Sequence, residues 1–233
     1  MANIKLVIFP GEGKNGAGTT VGHIYVVGGK GESYEMAGGP PPGQGSVGPG
    51  GHSAGVTPAG HYTLGQQEHH TTQNWPMSVI PWGASLREHG GEIQYQFGGH
   101  WVDATGPKGK VTQSAVLWIQ RSGKHQPFAQ VVKEVRKLPQ FRLPDGSLKP
   151  RWDLNDFGKW SWNLLKNGNR TAYYIHTTPD DELATAARKG FLLSQSHGCI
   201  HIRPVDRDDM MNKGYLKAGV GVDIKAYGAK GPP

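Results

Sequence analysis

The only cysteine of the chain, Cys199, lies between two histidines in the segment SQSHGCIHIRP, residues 194–204. A thiolate is a strong nucleophile, and it forms near neutral pH when a histidine base or a cationic group stands beside it. Alternate residues of a strand face the same side, so His197, Cys199 and His201 would also present three soft ligands to a metal ion. The segment therefore predicts either a cysteine nucleophile or a Cys/His metal site.

The neighbouring residues favour the nucleophile. Gly198 allows a sharp turn before Cys199 and leaves backbone N–H groups near the sulfur to face a developing oxyanion. His176, at the end of the predicted strand NRTAYYIHTT, is the candidate base. A base on a rigid strand end is held in one rotamer, and Thr177 or a backbone carbonyl would fix its tautomer.

The metal alternative draws less support from the composition. Structural zinc sites commonly contain two or more cysteines, and this chain has one. A literal GxGxxG pattern in GEGKNG, residues 11–16, gives no nucleotide site either, because β-branched residues follow it where a helix is required. We therefore expect a hairpin loop at this pattern, and neither a metal nor a cofactor.

The elements around these residues predict a mainly β fold. Apolar runs and period-two alternation predict strands in NIKLVIF, HIYVV, TPAGHYTLG after its opening turn, SVIPWGASLRE, GEIQYQF, NRTAYYIHTT and VGVDIKAY. AVLWIQ predicts either a further strand or the start of a short helix. Helical spacing and helix-start residues predict short helices in HQPFAQVVKEVRKL, PDDELATAARKG and PVDRDDMMNKG. Strands and helices do not alternate regularly, so we expect a β-sandwich or barrel with a few short helices, not a parallel α/β sheet.

The chain is expected to form a single domain over residues 1–233. The Gly/Pro-rich stretch at 37–56 predicts a flexible loop, which serves either as a flap over a cleft or as a simple surface loop. Residues 97–156 are expected to be an insertion in that domain.

Several motifs together resemble the L,D-transpeptidase catalytic domain family (YkuD-type). They are TPAGHYTL, VIPWGASL, YIHTT, SHGCI and GVGVDIKAY. The resemblance covers about residues 20–96 and 157–227 and leaves 97–156 unaccounted for. An HGC triplet alone would be a weak signal, whereas its combination with an upstream histidine and TP-x-G is specific. The resemblance implies a β-sandwich-like fold.

The resemblance also implies a reaction. Cys199 would attack the carbonyl between the L-centre of meso-diaminopimelate and a terminal D-Ala in a peptidoglycan stem peptide. The acyl-enzyme would then pass to an amine, which gives a cross-link or an exchanged D-amino acid. His176 would be the general base, and Thr177 takes the place of the residue that orients it.

The remaining site residues follow from the same resemblance. Ser196, His197 and Gly198 would frame the pocket, and the amides of Gly198 and Cys199 would form the oxyanion hole. The family usually has arginine two residues after the cysteine, where this chain has His201. We expect substrate choice to differ there, and Arg203, on the same strand face, is the candidate substitute for the missing arginine.

Three other function classes stay open. The same site could act as a hydrolase, an L,D-carboxypeptidase or endopeptidase, because the outcome depends on whether water or an amine reaches the acyl-enzyme. The chain could bind a metal through His197, Cys199 and His201. It could also be a non-catalytic wall-binding module in which His201 marks the loss of activity.

The net charge and the targeting signals limit the classes of partner that we expect. The formal net charge is +7, which fits an anionic polymer such as the cell wall, and no nucleic-acid-binding signature or membrane-span stretch is present. We expect action in the periplasm or cell wall on stem peptides. Because no standard signal peptide is recognised, we also hypothesise export by a specialised secretion machine as an antibacterial effector, with an immunity protein as partner.

Overall fold

The computed structural model describes residues 4–45, 53–70 and 75–232. Its contacts divide the chain into two compact units. The first contains the described residues of Met1–Ser46, Ser53–Glu68 and Trp160–Pro233, and the second contains those of His69–Lys159. The predicted insertion at 97–156 falls within the second unit. Part of the predicted flexible loop, residues 46–52, lies outside the described residues.

The described residues form eleven strands and four α-helices. The strands are β1 (Lys5–Lys14), β2 (Thr20–Val27), β3 (Ser33–Ala37), β4 (Gly60–Glu68), β5 (Leu86–His89), β6 (Glu92–Phe97), β7 (His100–Asp103), β8 (Ser161–Lys166), β9 (Asn169–His176), β10 (Ile200–Ile202) and β11 (Gly221–Ile224). The helices are α1 (Lys110–Arg121), α2 (Phe128–Arg136), α3 (Pro179–Ala186) and α4 (Pro204–Asn212). The prediction of a mainly β protein with a few short helices is confirmed.

Eight strands of the first unit form a closed barrel in the order β1-β11-β4-β8-β9-β10-β3-β2. Of the two architectures that the sequence left open, sandwich and barrel, the strand order is that of a barrel. Two of its pairings are parallel: β1 with β11, and β9 with β10. Closure leaves no unpaired edge among these strands.

Alternating apolar side chains fill the barrel. In β1, Leu6 and Ile8 are completely buried, as the period of two in a strand requires. Other fully buried members of the core include Ile24, Met36, Trp162, Leu164, Ile175, Ile200 and Ile202. Ile175 of β9 and Ile200 of β10 are cross-strand partners in the parallel register. This pair fixes how the two strands align where the candidate site residues lie.

The second unit contains the antiparallel sheet β5-β6-β7 and the helices α1 and α2. Of the two readings left open for AVLWIQ the helix is the one observed, and the strand predicted in SVIPWGASLRE needs correction. AVLWIQ belongs to α1, because Val111, Ala115 and Ile119 recur every four residues and face the unit's core, a spacing that a six-residue window hides. In SVIPWGASLRE only the last residues enter β5, since Pro81 has no N–H for a strand ladder.

No helix within the described ranges combines the length and the apolar character that crossing a bilayer requires. The expected hairpin is present, because β1 and β2 pair antiparallel with a register shift between Phe9 and Gly13. Its turn lies at residues 15–19, later than predicted, since the first four residues of GEGKNG belong to β1. Gly22 of β2 packs against the register shift.

Replacing Gly22 with alanine should destabilise the first unit. A Cβ at Gly22 would stand 1.9 Å from the Phe9 carbonyl oxygen, a backbone atom that cannot rotate away. We expect Gly22→Ala to lower the free energy of unfolding by about 3 kcal/mol in urea titrations. Gly13→Ala on the same hairpin is the control, because its Cβ would meet nothing within 4 Å. Equal stability of the two variants would contradict this packing.

Candidate active site

Cys199 lies directly before β10, beside the end of β9. The parallel register pairs Ile200 with Ile175 and His201 with His176. The Cys199 thiol lies 3.9 Å from the Ala172 carbonyl oxygen of β9, and the residue is partly exposed. The register therefore places the predicted base His176 opposite His201, two residues along the chain from the predicted nucleophile Cys199.

The turn before Cys199 needs its glycine. Gly198 has a φ of 122°, and a Cβ there would stand 2.9 Å from the ring of Tyr173. The buried Ser196 hydroxyl holds the turn: it accepts from the Gly198 N–H at 3.0 Å and donates to the Cys199 carbonyl at 2.6 Å. The Gly198 amide, predicted to belong to an oxyanion hole, is thus occupied by Ser196 in this conformation.

The described ends of the Gly/Pro-rich stretch pack against this turn. The Ser196 N–H donates to the Gly38 carbonyl at 2.9 Å, and the Gly55 N–H donates to the His197 carbonyl at 3.4 Å. A Cβ on Gly39 would stand 1.8 Å from the Gly55 carbonyl oxygen. At Gly39 the small residue is therefore required by close backbone contact.

His176 is held in one tautomer by its own chain. The ring is buried, and Nδ1 lies 2.6 Å from the Thr177 carbonyl oxygen. A carbonyl oxygen only accepts, so Nδ1 carries the hydrogen and Nε2 of the neutral ring carries the lone pair. An imidazole of this tautomer is equipped to accept a proton through Nε2.

Thr177 is anchored by two charged residues that the sequence analysis did not identify. Its hydroxyl donates to Glu182 Oε1 at 2.6 Å, and Arg207 forms an ion pair with the same carboxylate. Glu182 lies on α3 and Arg207 on α4, and both are buried. Charged residues on short helices are normally solvated, so only the three-dimensional structure reveals this pair.

His201 contributes a neutral ring, and not the charge of the arginine whose place it takes. Its Nδ1 donates to the Ser194 carbonyl at 2.9 Å, and its ring meets that of His176 edge-on, 4.7 Å between centroids. Burial lowers the pKa of His201 to about 4. At neutral pH the ring is therefore uncharged beside the predicted base.

Arg203 is engaged away from the predicted role. Its guanidinium pairs with Glu35 of β3 at 2.8 Å and approaches Asp206 at 4.0 Å. A cation neutralised by two carboxylates is a weak substitute for the family's arginine, so these contacts argue against that role. The predicted substitution of Arg203 for the arginine that His201 replaces is not supported by this geometry.

The geometry does not support a metal site at His197, Cys199 and His201. His197 precedes β10, so the three residues His197, Cys199 and His201 do not share one regular strand face. Among the described residues, no group of three His, Cys, Asp or Glu side chains is arranged to hold a metal ion.

The Cys199 thiol is protonated in the resting site. Although the residue is partly exposed, desolvation of its thiol by the surrounding protein raises the pKa of Cys199 to about 12, and a backbone hydrogen bond from Tyr174 opposes the shift only in part. A preformed thiolate is therefore disfavoured at neutral pH. Nucleophilic attack by this sulfur requires a base that removes the proton as the new bond forms.

Comparison with known proteins gives one match. A family model described as the L,D-transpeptidase catalytic domain, YkuD, matches residues 17–222, which include Cys199, His176 and the whole second unit. No curated protein and no solved structure shows a significant match.

The buried His201 should make stability depend on pH. Its folded pKa of about 4 lies below the usual 6.5, so below pH 6.5 the unfolded chain binds a proton that the folded protein does not. This contribution is fully present above pH 6.5, and about 3 kcal/mol of it is lost as the pH falls to 4.

We expect His201→Asn, which keeps a donor for the Ser194 carbonyl, to remove that pH dependence in urea unfolding measured at several pH values. Lost packing alone would lower the free energy of unfolding equally at every pH. Parallel curves for the two proteins would therefore contradict a buried, neutral His201.

Proposed function

Because the chain belongs to the L,D-transpeptidase catalytic domain family, which acts on cell-wall peptidoglycan, we propose that it transfers stem peptides through an acyl-enzyme on Cys199. The observation that carries the proposal is the pairing of two strand ends. Cys199 directly precedes β10, which pairs with β9, and β9 ends at His176, whose Nδ1 is hydrogen-bonded to the Thr177 carbonyl.

The first half-reaction uses this neutral pair. His176 Nε2 takes the thiol proton while Sγ bonds to the carbonyl carbon of the L,D-peptide bond, and the carbonyl electrons move to oxygen. The oxyanion then collapses, the C–N bond breaks, and the leaving D-amino acid takes the proton from the His176 imidazolium. A thioester on Cys199 remains.

The second half-reaction releases the acyl group. An acceptor amine attacks the thioester, His176 accepts a proton from that amine, and the C–S bond breaks. The sulfur recovers its proton from the imidazolium as the new amide forms. If the amine belongs to a second stem peptide, the product is a cross-link, and if it belongs to a free D-amino acid, the product is an exchanged stem.

Because desolvation keeps the Cys199 thiol protonated, its attack on the substrate needs a base. A thiolate and an imidazolium formed in advance would place two charges in a poorly solvated site, which costs desolvation energy. The raised pKa of Cys199 and the neutral His201 beside His176 both disfavour such an ion pair. Proton transfer during attack avoids a long-lived charge on either group.

The oxyanion has one backbone donor in this proposal. The Cys199 N–H lies beside the reacting sulfur, whereas the Gly198 N–H is hydrogen-bonded to Ser196. A preorganised donor at this point stabilises charge that develops only in the transition state.

Defined stem tetrapeptides provide the test of this function. We expect the wild-type protein to release D-Ala from a disaccharide tetrapeptide and to form a new amide with an added D-amino acid, as measured by mass spectrometry. Cys199→Ala should lower this rate at least about 10³-fold, and His176→Gln about 10² to 10⁴-fold. His89→Ala, which removes an exposed histidine of β5, is the matched control and should keep the wild-type rate.

The products separate the alternatives. D-Ala release without capture of an added amine would assign a hydrolase, an L,D-carboxypeptidase, to the same site. Full activity of Cys199→Ala, or no release of D-Ala by the wild-type protein, would contradict the proposal.

A further inference from the structure

We propose that the buried Glu182–Arg207 ion pair acts as a positioning device for His176, through the hydroxyl and the carbonyl of Thr177. This inference rests on the proposed function, because it assigns Glu182 and Arg207 to the orientation of the proposed base. Neither residue contacts the reacting atoms, so both are positioning residues.

The ion pair is almost inaccessible to solvent. Only 4% of the Arg207 side chain and 7% of the Glu182 side chain are exposed. Arg207 also pairs with the exposed carboxylate of its neighbour Asp208 at 2.7 Å, so its guanidinium is held by two partners. The pair joins the first turn of α3 to α4, the helices that follow β9 and β10 in the chain.

From this pair, contacts run without interruption to the proposed base. Arg207 binds the Glu182 carboxylate, the Thr177 hydroxyl donates to Glu182 Oε1 at 2.6 Å, and the Thr177 carbonyl accepts from His176 Nδ1 at 2.6 Å. Thr177 is completely buried, and it connects β9 to α3. Its side chain and its main chain thus face different partners of one network.

Stability alone is a weak reason for such an arrangement. Taking two charges out of water is costly, and well-packed apolar residues often replace a buried ion pair without loss of stability. A carboxylate that accepts hydrogen bonds from both a hydroxyl and a guanidinium has a defined orientation, because charge-assisted bonds are short and directional. We infer that this oriented carboxylate fixes the Thr177 side chain and thereby the direction of the Thr177 carbonyl.

The direction of the Thr177 carbonyl determines the tautomer and the rotamer of the His176 ring. If the Thr177 peptide rotates, the His176 Nδ1–H loses its acceptor, and the ring samples the other tautomer or another rotamer. Only the fraction of molecules with Nε2 unprotonated and aimed at the sulfur is then competent. A lower competent fraction reduces kcat, whereas the residues that bind the stem peptide are unchanged.

A pair of Thr177 variants isolates the hydroxyl. Thr177→Val removes the donor to Glu182 and keeps the carbonyl and the side-chain shape, and Thr177→Ser retains the donor. We expect Thr177→Val to lower kcat for tetrapeptide turnover about 10 to 100-fold with KM within about twofold, because misplacement of a catalytic group by about 1 Å has an effect of this size. Thr177→Ser should restore the wild-type kcat.

The ion pair is tested with a double variant that leaves no unpaired buried charge. Glu182→Gln combined with Arg207→Met keeps an acceptor for Thr177 but removes its anchor, and we expect a similar loss of kcat. Adding Thr177→Val to this variant should cause little further loss, because all three residues act through one contact. Lys213→Met is the control, since it removes the Lys213–Asp209 ion pair at the end of α4.

Alkylation of Cys199 by iodoacetamide reports on the base without any peptide substrate. In Thr177→Val the rate at pH 7 should fall about 10-fold, and the difference from the wild-type protein should shrink as the pH rises, because hydroxide increasingly removes the thiol proton without His176. A purely structural loss would not depend on pH in this way.

The two readouts distinguish failure of this inference from failure of the proposed function. If wild-type protein does not turn over stem peptides, the proposed function fails, and alkylation still measures the positioning of His176. If Thr177→Val and the double variant keep wild-type alkylation at pH 7, the ion pair only ties α3 to α4, and the inference is wrong.

Discussion

The candidate site depends on one short contact, the hydrogen bond from His176 Nδ1 to the Thr177 carbonyl. It places the hydrogen on the nitrogen that points into the chain and leaves the lone pair on Nε2. The closed barrel supplies the strand register that sets His176 near Cys199, through the buried pair Ile175 and Ile200. Rotation of the Thr177 peptide plane would therefore misorient the proposed base even with the barrel register unchanged.

Burial gives the site a neutral resting state. It raises the pKa of Cys199 and lowers that of His201, so neither group is charged near pH 7. The buried charges lie on the far side of Thr177 from His176, where Glu182 and Arg207 form an ion pair. In the proposed mechanism, charge would then develop only during attack by the sulfur, when oriented donors and a base have their effect.

The sequence predicted the parts of this arrangement that are local. Period-two and helical spacing predicted barrel strands such as β1, β2, β9 and β11 and the helices α2, α3 and α4, but not β3 or β8. The HGC turn with an upstream histidine led to the prediction of Cys199 and His176 as site residues. The sequence could not identify Glu182 and Arg207, because they meet across 25 residues on two helices that look solvated. It also could not show the ion pair of Arg203 with Glu35, which lies far away in the chain.

The tautomer of His176 in the wild-type protein at neutral pH tests the central claim most directly. It is measured from the nitrogen chemical shifts of the imidazole in a ¹⁵N-labelled sample, assigned by comparison with His176→Gln. The account predicts a neutral ring protonated on Nδ1, with the lone pair on Nε2. A ring protonated on Nε2 would contradict it, because that nitrogen could not then accept the proton of Cys199.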